Sequence, residues 1–269
     1  MISHTERQLM QERGLNILAR TQAFKFDPAF FPYTSGEIGP YVVRCGNIQR
    51  DPANYDRAVN DLATLAAEIT RDYDKRNLVI SGGESMDWIF STHVAIKLLA
   101  PSVMLYKNGR IEGEGLCSRR VLHIADLNNE GTSPKHYWVP LIREKGGKIE
   151  DIVFYVDRME DGVEEMNKLG LKRHAIVELD SHAWDYLNSR GLIDKKIYKS
   201  IFERGKTKQE RDAWAVKMLK SHVGLERLAS LLNSPQTRDK AIKVIEIGYP
   251  QLRDQLIESL RKDHGLEIY

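Results

Sequence analysis

The chain contains little cysteine and no long apolar run. Its two cysteines, Cys45 and Cys117, form no CxxC pair and stand near no histidine cluster, which argues against a structural zinc site and a disulfide framework. No stretch approaches the ~20 apolar residues that span a bilayer, and the polar start of the chain lacks the apolar centre of a secretory signal. We therefore expect a cytoplasmic protein that does not span a membrane.

Two further absences narrow the class of protein. The glycine-rich stretch SGGES, residues 81–85, is neither the GxSxG elbow of a hydrolase nor the GxGxxG of a dinucleotide site.

The composition is that of a globular protein, with 42% hydrophobic and 29% charged residues, enough for one large core or one core with a smaller domain. A net charge of +2 favours neither a polyanion binder nor a membrane-surface protein.

The last third of the chain differs from the rest. From Ser181 onward there are 17 lysines and arginines against 12 acidic residues, in six predicted short helices, with LEIY at the end as a candidate strand. Charges of both signs are interleaved, so nucleic-acid binding is not favoured. We predict two domains, 1–180 and 181–269. The second is an all-α extension that packs on the first, makes an oligomer contact or docks a protein partner.

The first 180 residues alternate between apolar strands and amphipathic helices. Ser3 and Glu6 begin a first helix as a capping box, and Asp51 and Pro52 begin a second. Predicted strands follow at NLVIS, SVMLY, RVLHIA, DIVFYVD and RHAIVELD, with helices between most of them. This order predicts an α/β fold with a largely parallel sheet flanked by helices, in which ligands bind beyond the carboxyl ends of the strands.

The segment RVLHIADLNNEGTS, residues 120–133, lies at such a strand end. Asp126 closes the predicted strand and can accept hydrogen bonds from a sugar diol. The amides of residues 128–133 stand at the start of a helix, where the macrodipole favours an anion, and Thr132 and Ser133 add hydroxyl groups. A ribose 5-phosphate would satisfy both halves. The alternative is an Asp-Asn turn in which Ser133 only caps a helix that starts at Pro134.

The SGGES stretch offers a second place for an anion. Gly82 and Gly83 would let backbone amides approach the ligand closely, while Ser81 and Ser85 add donors. Glu84 stands in the first turn of the following helix, where it either caps that helix or works through a magnesium ion.

Four stretches, in this order along the chain, resemble the type I phosphoribosyltransferases and their orotate branch. FFPYTSGEIGPYVV is similar to the N-terminal substrate segment of that branch, and VISGGES stands where the family has its pyrophosphate loop. RVLHIADLNNEGTS is similar to the ribose-phosphate signature, and FYVDRMEDGVEEMNKLGLKRHAIVELD to the strand and helix after it. The resemblance covers residues 5–180 and implies a phosphoribosyltransferase-like fold.

The resemblance also implies the residues of a site and its ligands. Asp126 and Lys107 would be catalytic. The ribose phosphate would be bound by Asp126, Asn128, Asn129, Gly131, Thr132 and Ser133, the pyrophosphate by Ser81, Gly82 and Gly83, and the base by Ser35, Tyr41 and Arg158. The implied ligands are phosphoribosyl pyrophosphate (PRPP), Mg²⁺ and a nitrogenous base, as in pyrimidine biosynthesis. A homodimer is a further expectation, and no residue is assigned to the metal.

Departures from the family's pattern fall where chemistry would occur. Ala125 replaces the first acidic residue of the signature, and Asn129 and Glu130 replace its two threonines. At an effective dielectric constant of about 20, two unit charges ~5 Å apart repel by roughly 3 kcal/mol. Glu130 must therefore point away from a 5-phosphate, be protonated, or face a ligand without one. The mobile lid is reduced to YKNGRIEGEG, which contains Lys107 and no histidine and is predicted to run directly into the next strand.

Two hypotheses follow. The first is a divergent orotate-type phosphoribosyltransferase that joins a base to PRPP with magnesium; the retained Asp126, Arg158 and glycine loops favour it. The second is a non-catalytic descendant that binds a nucleotide-like ligand, or nothing, and acts through its helical tail. Ala125, Glu130 and the shortened lid favour the second. We give preference to the retention of ligand-binding chemistry.

Overall fold

A six-stranded sheet forms the centre of the first part of the chain in this computed structural model, which describes residues 2–267. The strands lie in the order β5-β4-β3-β6-β7-β8. All neighbours are parallel except β5, which is antiparallel to β4. The bounds are β3 Leu78–Gly83, β4 Ser102–Leu105, β5 Ile111–Gly113, β6 Arg120–Asn128, β7 Lys148–Asp157 and β8 Lys172–Glu178. All residues of β3 are buried, as expected for a strand covered on both faces.

The helices that accompany this sheet begin largely where the sequence predicts. They are α1 His4–Arg20, α2 Pro52–Ile69, α3 Trp88–Leu98, α4 Val139–Glu144, α5 Gly162–Lys168 and α6 Ser181–Ser189. The Ser3 side chain accepts a hydrogen bond from the Glu6 amide, and Asp51 accepts one from the Asn54 amide. A π-helical segment, Pro134–Trp138, leads from β6 into α4. The predicted α/β fold class is confirmed, with a parallel sheet, flanking helices and further helices towards the C-terminus.

Two details of this part differ from the prediction. Strand β6 does not stop at Asp126 but continues to Asn128, because its last residues still pair with Val156 and Asp157 of β7. The segment YKNGRIEGEG does not run directly into the next strand but folds back as a hairpin between β4 and β5, closed by the Tyr106 amide on the Arg110 carbonyl at 2.9 Å.

The chain divides into two compact units. The first contains the residues up to Ala23 together with Val43–Ser189, and the second contains Phe24–Val42 together with the residues from Arg190 onward. This division differs from the predicted domains 1–180 and 181–269, since the second unit includes an N-terminal hairpin and α6 belongs to the first unit.

The second unit is built from that hairpin and five helices. The hairpin consists of β1 Phe24–Pro32 and β2 Ile38–Val43, and the helices are α7 Lys195–Arg204, α8 Lys208–Leu219, α9 His222–Asn233, α10 Arg238–Lys243 and α11 Arg253–His264. Phe30 and Ile38 of the hairpin share a buried core with Trp214 and Leu228 of the helices. Thr207 caps the start of α8 and forms a complete capping box with Glu210.

The predicted strand at LEIY cannot be followed to its end, because residues 268 and 269 lie outside the described residues; residues 266 and 267 are not in a strand. Within residues 2–267, no helix is both long and apolar enough to cross a membrane.

Candidate active site

A cavity of about 300 Å³ opens at the carboxyl ends of β3, β4 and β6. Its walls come from the loop after β3, the turn after β4, the end of β6 and the helix start that follows. The lining residues are Glu84, Ser85, Met86, Asp87, Lys107, Ala125, Asp126, Leu127, Ser133, Pro134, Trp138 and Phe154. This is the edge of the sheet where the sequence predicts a ligand. A larger cavity of about 520 Å³, beside α1 and β8, contains none of the predicted site residues.

The two residues predicted to be catalytic lie at the same cavity. Asp126 reaches it from β6 and Lys107 from the turn between β4 and β5. The amide of Lys107 donates to Oε2 of Glu84 at 3.0 Å, which ties this turn to the loop after β3. The Lys107 ammonium lies 5.7 Å from the centre of the Tyr137 ring. The short lid is therefore a fixed turn that presents one cation to the cavity.

Asp87 is the residue that the sequence analysis missed. Its Oδ2 accepts a hydrogen bond from the Gly83 amide at 2.9 Å, and its Oδ1 accepts one from the Asp126 amide at 3.0 Å. The carboxylate thus joins the ends of the neighbouring strands β3 and β6. An aspartate one residue before a helix predicts an N-cap, yet the Asp87 side chain makes no capping bond to α3. The signal available in the sequence was therefore an acidic residue two positions after the SGGES stretch.

The carboxyl group of Asp126 lies in an unusual electrostatic environment. Burial, and then the charge and hydrogen bond of Asp87, raise the pKa of Asp126 well above its usual range. The protonated form of this carboxyl group is therefore favoured more strongly here than in water. The neighbouring Cys45 thiol donates to the Asp126 carbonyl at 3.4 Å, and burial followed by the charges of Asp126 and Asp87 raises the pKa of Cys45 well above its usual range.

A buried histidine lies behind this pair of carboxyl groups. His123 is fully buried in β6, as is Ser81 in β3, and Nδ1 of His123 is 2.9 Å from the Ser81 hydroxyl. Nε2 of His123 lies 3.5 Å from Oδ2 of Asp87. Ser81 is a predicted pyrophosphate donor, but its hydroxyl hydrogen-bonds to His123 inside the sheet and does not line the cavity.

The glycines of the predicted pyrophosphate loop are tightly surrounded. A Cβ on Gly82 would stand 2.1 Å from the Ser91 hydroxyl, and a Cβ on Gly83 would stand 2.1 Å from the Trp138 ring. Glycine is thus required here for packing as well as for any approach to a ligand. The peptide bond between Glu84 and Ser85 is cis.

The predicted ribose-phosphate residues are only partly brought together. Asp126 and Ser133 line the cavity, whereas Asn128, Asn129, Gly131 and Thr132 are absent from its lining. Asn128 is buried and donates from its amide group to Oδ2 of Asp157 at 2.9 Å. Gly131 adopts a positive φ of 70°, a conformation that favours glycine.

Glu130, the acid that the sequence analysis considers critical, is half-buried and is also absent from the lining. The carboxylates at the cavity are instead those of Glu84, Asp87 and Asp126.

The three predicted base-binding residues are not among those that line the cavity. Arg158 follows β7, and its guanidinium forms a buried ion pair with Glu160 at 3.0 Å, away from the cavity lining. Ser35 and Tyr41 belong to the hairpin of the second unit. Ser35 is exposed, and its hydroxyl accepts a hydrogen bond from the Glu37 amide at 3.4 Å; Tyr41 is buried. Their role in base binding stays a prediction.

Solved structures with a similar arrangement of strands and helices include orotate phosphoribosyltransferases. The Leishmania donovani UMP synthase matches with a TM-score of 0.61 at 21% identity, over 71% of this chain and 41% of that chain. The orotate phosphoribosyltransferase from Aeropyrum pernix matches with a TM-score of 0.54 at 19% identity, over 66% of this chain and 99% of that chain. This chain has the type I phosphoribosyltransferase fold.

Sequence comparison extends the likeness beyond the phosphoribosyltransferase fold. The chain is 27% identical over 179 residues to the orotate phosphoribosyltransferase of Saccharolobus solfataricus, which covers 64% of this chain and 87% of that protein. It is 26% identical over 191 residues to the orotate phosphoribosyltransferase of Staphylothermus marinus, and this match covers 67% of this chain and 87% of that protein. No protein-family model matches the chain. The predicted resemblance to the orotate phosphoribosyltransferases is confirmed, and the likeness favours a phosphoribosyltransferase as the class of enzyme.

Proposed function

We propose that the chain is a divergent phosphoribosyltransferase that transfers phosphoribosyl from PRPP to a nitrogenous base. The observation that carries this proposal is the meeting of Asp126 and Lys107, from two separate loops, at one cavity beyond the parallel strands. The similarity to relatives named orotate phosphoribosyltransferase supports the same class of reaction and a place in pyrimidine nucleotide metabolism.

Each residue at the cavity has a chemical part in this proposal. The Asp126 carboxyl group can accept hydrogen bonds from the ribose hydroxyl groups and, in the protonated form that its raised pKa favours, can also donate one, which fixes the sugar. Ser133, at the helix start, offers a hydroxyl and an amide to the 5-phosphate. Lys107 places a positive charge beside the leaving pyrophosphate. The rate enhancement would come from positioning and from neutralising the leaving group.

Magnesium enters the proposal only as an ion bound to the diphosphate of PRPP. Within residues 2–267, no group of three or more His, Cys, Asp or Glu side chains is arranged to hold a metal ion. Mg²⁺ is usually held by one or two carboxylates together with waters and substrate phosphates, so the diphosphate would itself supply ligands to the ion. Glu84 is the carboxylate that lines the cavity and stands nearest in sequence to the predicted pyrophosphate loop.

The second candidate is a phosphoribosyltransferase-fold protein that binds a nucleotide-like ligand without transfer. It is favoured by the charges at the cavity, where Glu84, Asp87 and Asp126 face a single lysine, Lys107. PRPP is a polyanion, so this balance opposes its binding. In this case the helices of the second unit would supply the protein's role through a partner.

A transfer assay separates the two candidates. The protein is incubated with PRPP and magnesium and with orotate, uracil or a purine base, and both pyrophosphate release and nucleotide formation are measured. We expect turnover with one base and a loss of kcat/KM of about 10²-fold in Lys107→Ala, because a cation at the leaving group is removed. Lys172→Ala, an exposed lysine at the opposite end of β8, is the matched control.

Binding measured beside turnover assigns the outcome. Heat of PRPP binding without product, abolished in Asp126→Ala, would support the binding protein. The transferase proposal would be refuted if the protein bound no PRPP at millimolar concentration and formed no product with any base.

A further inference from the structure

The carboxylate of Asp87 occupies a position that suits a bound anion. Two backbone N–H groups, of Gly83 and Asp126, point at its two oxygens at 2.9 and 3.0 Å. These amides belong to the carboxyl ends of adjacent parallel strands, and the carboxylate that they hold lines the cavity. Converging backbone amides of this kind bind oxyanions in many proteins. Asp87 is thus an anion supplied by the chain itself.

Few other groups around Asp87 stabilise a negative charge. The carboxyl group of Asp126 hydrogen-bonds to it. The nearest ionisable nitrogen among the ion pairs of residues 2–267 is Nε2 of His123, at 3.5 Å, and none of these pairs joins Asp87 to a lysine or arginine. The two amides and the Asp126 carboxyl group are therefore the groups that hold the Asp87 carboxylate in place.

A purely structural role is the alternative to be tested. Asp87 is the residue before α3, and such residues commonly cap the helix. Its side chain makes no capping bond and turns back to the strands, so it could serve only to hold the loop after β3 against β6. If Asp87 has only this structural role, its substitution should lower the stability of the protein and leave the affinity for anions unchanged.

We propose that Asp87 is an internal competitor for an oxyanion ligand and that it determines which ligands the cavity accepts. A pyrophosphate or phosphate group can use the amides of Gly83 and Asp126 only after the Asp87 carboxylate has left them. Ligands with a neutral group at this end enter without that cost. This inference rests on the proposed function, since it specifies how the cavity would treat the diphosphate of PRPP.

Titration calorimetry of the whole protein with inorganic pyrophosphate and magnesium tests the competition. Asp87→Asn releases at least one amide for a charge-assisted hydrogen bond to the ligand, so this variant is expected to bind pyrophosphate about ten-fold tighter than the wild type. Asp87→Ala releases both amides and is expected to bind at least as tightly. Glu84→Gln is the matched control, because it removes one carboxylate from the same cavity without freeing either amide.

The control decides between competition and charge alone. If Glu84→Gln tightens pyrophosphate binding as much as the Asp87 variants do, or if the Asp87 variants bind no tighter than the wild type, the proposal is overturned. Should the Asp87 variants fail to fold, the wild type still provides a test. On titration with magnesium pyrophosphate, the amide resonances of Gly83 and Asp126 must shift, and unchanged resonances at saturation or at millimolar ligand would refute the displacement.

The transfer reaction is measured separately from pyrophosphate binding, so that the two proposals can fail independently. If no base is converted but the Asp87 variants bind pyrophosphate more tightly, the proposed transferase fails and the competition stands. If transfer occurs and the KM for PRPP is the same in Asp87→Asn as in the wild type, the competition fails and the transferase stands.

Discussion

At the scale of single residues, Asp126 makes stability depend on pH. Burial and Asp87 raise its pKa, so the native state keeps a proton that the unfolded chain loses above its ordinary pKa of about 3.9. Between that value and the raised pKa, this group lowers the free energy of unfolding by about 1.4 kcal/mol for each pH unit. Asp126→Asn carries an amide that does not titrate. We therefore expect the stability of the variant relative to the wild type to rise as the pH increases from about 4 towards the raised pKa of Asp126.

Urea unfolding of both proteins across this range measures the effect. Asp72→Asn, at an exposed carboxylate, provides the baseline. A stability difference between Asp126→Asn and the wild type that stays constant with pH would show that Asp126 is ionised in the native state.

The two cysteines should differ sharply in reactivity. Burial and the charges of Asp126 and Asp87 raise the pKa of Cys45, whereas Cys117 is exposed. Because the thiolate is the reactive form, we expect iodoacetamide at about pH 8 to modify Cys117 in the native protein and Cys45 only after unfolding. Peptide mass spectrometry after timed labelling checks this expectation. Modification of Cys45 at a rate near that of Cys117 would contradict the buried arrangement around Asp126.

At the scale of secondary-structure elements, the end of β3 packs directly on the helical segment after β6. A Cβ on Gly83 would meet the Trp138 ring at 2.1 Å, and Trp138 is itself 2% exposed, so neither group has room to move. We expect Gly83→Ala to lower the free energy of unfolding by about 1–3 kcal/mol through overpacking. Gly115→Ala is the control, because a Cβ at Gly115 meets nothing within 4 Å.

Denaturant unfolding of the two variants gives the comparison. Equal stability of Gly83→Ala and Gly115→Ala would mean that β3 and the segment Pro134–Trp138 do not pack as described.

Most elements were predictable from local signals, and the site was predictable only where it depends on them. Apolar strands, the caps at Ser3 and Asp51 and the order of motifs are properties of neighbouring residues, and all three agree with the structure. Asp87 and Glu130 show the limit. Which acid faces the cavity depends on side-chain direction at the ends of two strands that are distant in sequence, and spacing along the chain does not encode that direction.

At the scale of the whole molecule, the second unit is assembled from two distant parts of the sequence. Residues 24–42 fall within the predicted domain 1–180, whereas in the structure they group with the C-terminal helices. Such a pairing spans more than half of the chain and has no local signature. Phe30 of the hairpin is fully buried in the core formed with α8, α9 and α11.

The second unit should therefore depend on its hairpin. Removing a fully buried phenylalanine side chain costs about 3–5 kcal/mol, so Phe30→Ala is expected to destabilise α9, more than 190 residues away, by that amount. Phe202→Ala, which truncates a ring that is 47% exposed in α7 of the same unit, should cost much less. Hydrogen exchange with mass spectrometry reports the protection of the α9 amides in each variant. Unchanged protection of α9 in Phe30→Ala would show that the helices form their core without the hairpin, while its loss in that variant alone would establish the hairpin as part of the helical unit.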